Sequence, residues 1–168
     1  SLAAELNAEG RHAAAVVSLE SFTNPDPLVS MPQLLHAMQR RIGQQVSPDA
    51  APPEASEHHA HPHTALASYL GAWAERSPRP VVLFLDEIDS IGDELLLTVL
   101  RQLRSGYTAR PAPGPHSLAL VGLKDVRDYK IRVRPEGNSL GTASPFNIKS
   151  ESLTLRNFTA GEEAEQYG

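Results

Sequence analysis

The run Val81-Val-Leu-Phe-Leu-Asp-Glu-Ile-Asp-Ser90 decides how this chain is read. Val81 to Leu85 are apolar without a break, with Pro78 and Pro80 before them and acids after. Such a run fits a short strand buried on both faces, as found inside a parallel sheet. Asp86, Glu87 and Asp89 stand at its C-terminal end. In open α/β sheets that end is where ligands bind. Carboxylates placed there need a cation, a hydrogen-bond partner or water. An acid at the tip of a rigid strand, here Asp86, suits a water-clad Mg²⁺, which takes oxygen ligands. A second acid one residue on, Glu87, suits orienting or deprotonating an attacking water. The competing reading is that acids after a strand cap the next helix, and this is the role expected of Asp89 or Ser90.

Working outward, Ser1 to Glu9 is rich in helix formers, with Leu2 and Leu6 one turn apart and Gly10 as a natural stop. Ala13 to Leu19 reads as a strand, and the next helix is expected to start at Ser30, with Gln33 completing a capping box. Leu34, Leu35, Met38 and Ile42 would line its buried face. Thr64 is expected to cap a helix whose Leu66, Tyr69, Leu70 and Trp73 share one side, with Trp73 in the core. Beyond the acidic strand, Asp93 to Ser105 has helical periodicity. Ser117 to Leu123 reads as a third buried strand and Ser152 to Arg156 as a fourth, with Thr159 and Glu162 placed to open a last helix. Strands alternating with helices predict an α/β fold with a mainly parallel sheet.

Residues 47–63 hold four prolines (Pro48, Pro52, Pro53, Pro62) and read as a flexible Pro/His-rich linker or surface insertion. His58, His59, His61 and His63 invite a metal reading, but no cysteine or paired acid completes a ligand set, so a solvated loop is expected.

The totals narrow the classes. A chain of 168 residues can build one domain with a real core. A net charge of −5 supplies no basic field for nucleic acid or an anionic membrane. The absence of cysteine removes disulfides and thiolate metal sites and is compatible with a cytoplasmic location. No apolar run reaches the ~20 residues that span a bilayer, and the first residues show no signal-peptide pattern.

The Asp-Glu-Ile-Asp sequence after a buried strand resembles the Walker B motif of P-loop ATPases, and the AAA+ superfamily in particular. The segments Leu100–Tyr107, Gly122–Lys130, Ser144–Lys149 and Ser152–Thr159 are similar to a bacterial group of AAA-like ATP-binding proteins. The resemblance implies a P-loop NTPase (AAA+-like) three-layer sandwich with ATP and Mg²⁺ as cofactors. It implies Asp86 as a metal ligand, Glu87 as the catalytic carboxylate that activates water, and Asp125 and Arg127 as nucleotide-binding, sensing positions. Asp125 stands where many relatives carry Asn or Thr, so action through water or through a neighbouring Arg is the alternative to a direct phosphate contact. Arg127, Arg132 and Arg134 are candidates for a phosphate-stabilising finger, against plain surface solvation. Glu20 is a candidate to approach the water, against a loop carboxylate without a role.

One departure weighs against the resemblance. A P-loop ATPase cradles phosphates with a Gly-rich loop ending Gly-Lys-Ser/Thr, and these 168 residues contain none. Residues 1–168 are therefore expected to be part of an AAA-like domain whose first strand and loop lie upstream of Ser1, and to fold poorly and hydrolyse nothing alone. Two functions follow: ATPase activity in a longer parent, or a non-catalytic AAA-like interaction scaffold. Self-association or a protein partner fits either.

Overall fold

A computed structural model describes residues 1–123. The apolar run becomes strand β2 (Val81–Asp86), between β1 (Ala13–Ser18) and β3 (Ser117–Leu120). Both pairings are parallel, with Ser18 opposite Asp86 and Leu85 opposite Leu120. Parallel neighbours need crossover connections. Helices α2 (Pro27–Gln45) and α3 (Ala65–Arg76) lie between β1 and β2, and α4 (Asp93–Thr108) between β2 and β3. A short α1 (Leu2–Ala8) precedes β1. The described residues thus form an α/β unit with a small parallel sheet in a Rossmann-like layout.

Strand alternation divides the core in two. Ala13, Ala15 and Val17 of β1 and Val81, Leu83 and Leu85 of β2 join the large cluster built by α2, α3 and α4. Ala14 and Val82 face the other way and pack with Ala3 of α1, beside the partly buried Leu6, Val16 and Phe84. Each fully buried Leu or Val contributes roughly 1.5–3 kcal/mol relative to exposure, so the large cluster dominates cohesion.

Several elements differ from expectation for identifiable reasons. α2 starts at Pro27: Asp26 is the N-cap, its Oδ1 accepting from Leu28 N at 2.9 Å, and proline is tolerated in the first turn. Ser30, expected as the cap, is instead buried within α2 and donates from Oγ to Asn24 O at 2.8 Å. Residues 47–63, expected as a loose linker, carry two 3₁₀ turns and place Ala50 and Ala55 in the core. Trp73 is fully buried as expected, and its Nε1 donates to Ala50 O at 2.9 Å. β3 is shorter than expected and partly exposed, and β2 is its strand neighbour among the described residues. The expected strand at Ser152–Arg156 and the helix opened by Thr159 lie outside the described residues.

Side-chain amides finish what the backbone leaves open. Asn7 pairs with both main-chain groups of Ala14: Oδ1 accepts from Ala14 N and Nδ2 donates to Ala14 O, each at 2.8 Å. Gln45 does the same at Val16, with both bonds at 2.9 Å. Together they stand in for a neighbouring strand along the outer edge of β1. Gln102 is buried and caps α3 from a distance, accepting from Leu66 N at 2.8 Å and Ala67 N at 3.2 Å while donating to Pro62 O at 2.9 Å.

Gln102→Leu strands donors that water reaches poorly, a loss of about 1–3 kcal/mol. Its urea midpoint should fall accordingly, and an unchanged midpoint would refute the distant cap. The double variant Asn7→Ala/Gln45→Ala opens an unpaired strand edge. It should associate in a concentration-dependent way in size-exclusion chromatography, where the parent does so less.

Candidate functional site

The site is built where β1 and β2 end side by side. Leu19 N donates to Asp86 O at 2.9 Å, so the chains stay paired one residue past the strands. Asp86 is half-buried, and its Oδ1 accepts from Glu87 N at 2.9 Å. Glu87 then takes a left-handed backbone with φ 58° and ψ 40°. That region is costly for a side chain with a Cβ, and such residues gather at functional sites. The turn directs the Glu87 carboxylate back across the sheet, where Oε2 accepts from Ser18 Oγ at 2.5 Å. Ser18 also accepts from Glu20 N at 3.3 Å. The group that β1 brings to Glu87 is therefore Ser18, while Glu20, the candidate from sequence, is exposed. A polar residue ending an apolar strand was the available signal for Ser18.

Asp89 and Ser90 do not cap the following helix. The N-cap of α4 is Gly92, without a side-chain bond. Asp89 Oδ1 accepts from Leu123 N at 3.2 Å, and Ser90 Oγ donates to Glu87 O at 2.6 Å. Both residues therefore serve the loop itself. Val121 accepts from Ile88 N at 3.0 Å and donates from its own N to Leu85 O at 2.8 Å, which ties the segment after β3 to the acidic turn. A Cβ on Gly122 would lie 2.7 Å from Asp89 Oδ1, and one on Gly92 would lie 2.7 Å from Pro25 Cα. Only residues without a side chain allow these loops to close on each other.

Among the described residues, ion pairs join Arg11 to Glu9 and Arg79 to Asp49, and none involves Asp86, Glu87 or Asp89. Among the described residues, the three acids at this strand end have no ion-pair partner. No group of three or more His, Cys, Asp or Glu that could hold a metal is found among the described residues. The histidines of residues 58–63 accordingly form no such set. Asp125, Arg127, Arg132 and Arg134 lie outside the described residues.

A shallow groove of about 600 Å³ opens at the opposite end of the sheet, between Pro80–Val81 and the Arg110–His116 loop. Its lining holds no acid. No helix among the described residues is long and apolar enough to cross a membrane. No family model matches the chain, and no curated protein or solved structure matches it significantly.

The left-handed turn yields a stability test. Glu87→Gly removes the αL cost of about 1–2 kcal/mol and adds about 0.5–1 kcal/mol of unfolded-state entropy. The variant should match or exceed the parent in thermal unfolding, whereas Glu87→Val should melt earlier. The reverse order would contradict the turn geometry.

Proposed function

We propose that the chain carries the metal- and water-handling half of a nucleoside-triphosphate site of the AAA-like kind. The observation that carries this reading is the pairing of Asp86 and Glu87 at the end of the middle strand, with Ser18 holding Glu87 across the sheet. The parallel order β1-β2-β3 also supports it. In this reading Asp86 binds Mg²⁺ through water or directly. Mg²⁺, when bound, neutralises charge on the transferring phosphoryl group. Glu87 orients a water and accepts its proton, turning away from Ser18 to do so. ATP is the expected nucleotide, and the cytoplasm the expected compartment. Asp125 and Arg127 remain candidates to sense the nucleotide.

A second reading rests on a specific observation, the lack of a Gly-Lys-Ser/Thr loop in these residues. In it the same fold serves as a non-catalytic scaffold for self-association or a protein partner.

The experiment uses a chain extended upstream of Ser1, so that a phosphate-binding loop can be supplied. Mg²⁺-dependent ATP binding and turnover are measured for this protein, for Glu87→Gln and for Asp86→Asn. The ATPase reading expects Glu87→Gln to bind ATP while turnover drops about 10²–10⁴-fold, the range for losing a positioned general base. Asp86→Asn should weaken the Mg²⁺ dependence of binding. A folded parent that neither binds nor hydrolyses ATP sinks the ATPase reading and leaves the scaffold.

A further inference from the structure

The histidines at residues 58 and 59 meet a third from α2, and His58 packs on the buried Tyr69. The His36 and His59 rings are 4.7 Å apart, centre to centre. His58 meets the Tyr69 ring edge-on at 5.6 Å, and its Nδ1 is 2.9 Å from Ser68 Oγ on α3. His36 Nδ1 lies 2.9 Å from Pro32 O, an acceptor only, so that nitrogen carries the hydrogen. His59 Nε2 and the Tyr69 hydroxyl are covered and have no hydrogen-bond partner. The nearby acid, Glu54, is engaged by Gln39 Nε2 at 2.8 Å. The segment's first turn is anchored separately, by Arg79 on Asp49 at 2.7 Å.

We propose that residues 47–63 are a proton-sensitive clasp over the α2–α3 core. The clasp is docked while His59, packed against the His36 ring, is neutral, and it is released when His59 takes up a proton. Its docking contacts are Ala50 and Ala55 in the core, the Trp73–Ala50 bond, Ala55 N donating to Gln39 Oε1 at 2.9 Å and Gln102 Nε2 donating to Pro62 O at 2.9 Å, besides the His58, Glu54 and Asp49 contacts above. A charge on His59 would be poorly hydrated and would face a second imidazole, with no carboxylate bonded to either ring. Burial, followed by repulsion from His36 and His58, holds the His59 imidazole below its ordinary 6.5. Tyr69 is shifted the other way, upward by burial and then by Glu54, so it stays neutral and does not compensate. Because the docked state binds the proton more weakly than the open one, docking is fully stable above the ordinary His range. It weakens as pH falls below 6.5. Each proton taken up on opening raises the opening constant by up to about tenfold per pH unit.

The chain has a single tryptophan, Trp73, and the clasp covers it, so fluorescence reads the event directly. Emission and acrylamide quenching of Trp73 are followed from slightly alkaline to mildly acidic pH, alongside far-UV circular dichroism. The expected result is a red shift and rising quenching below the ordinary His range while helicity holds. The transition should flatten in His59→Gln. It should move to lower pH in His36→Gln, which alters an exposed side chain and so keeps the test sound if His59→Gln misfolds. A shielded Trp73 throughout, an identical transition in both variants, or one that coincides with loss of helicity would each overturn the clasp.

Discussion

The register that sets Ser18 against Asp86 is the constraint on which the rest depends. It is enforced from the buried face. Ala13, Ala15 and Val17 must enter the same core as Val81, Leu83 and Leu85. Sliding one strand by a residue would turn that whole set out of the core. With those positions fixed, Ser18 and Asp86 fall on the other face, level with each other at the strand ends. The polar pair is therefore positioned by apolar side chains that never touch it. The left-handed turn at Glu87 adds the last displacement, from the end of β2 back to Ser18.

Much of this layout was legible in the sequence, because it follows from local patterns. The break from Leu85 to Asp86 marks the end of β2, and alternating strands and helices give the parallel class. What was hidden depends on contacts far apart in the chain. The Ser30–Gln33 spacing imitates a capping box, but the Asp26–Pro27 pair starts the helix earlier, and nothing local ranks one above the other. Residues 47–63 look like a linker by composition. Their order comes from Trp73, Gln39 and Arg79, three partners that composition does not register. Glu20 carries the charge, but register decides which residue reaches across the sheet, and it selects Ser18.

The amide side chains show how a small sheet is completed without additional strands. Asn7 and Gln45 each offer one acceptor and one donor to a single residue of β1, the same pairing a strand would provide. Unpaired main-chain groups at a buried edge are costly, so the substitution contributes to stability and discourages a foreign strand from adding there. Asn7 also donates to Gln45 O at 2.9 Å, so α1 and the end of α2 meet at the edge they close.

The two ends of the sheet are built differently, and the difference argues for chemistry at the carboxylate end. The groove beside Arg110 is open and lined by four prolines with Arg110 and His116, and no acid is among its described lining residues. The carboxylate end is closed down by backbone. Leu19 bonds to Asp86, Val121 bonds to both Leu85 and Ile88, and Gly92 and Gly122 permit contacts that any larger residue would obstruct. Such closure holds the acid-bearing turn in a fixed place while keeping Glu87 in an unfavourable backbone conformation. A fold governed by stability alone would relax that turn with glycine or asparagine. Glu87 instead holds the strained conformation with its carboxylate on Ser18 Oγ, and strain of this kind gathers at functional sites.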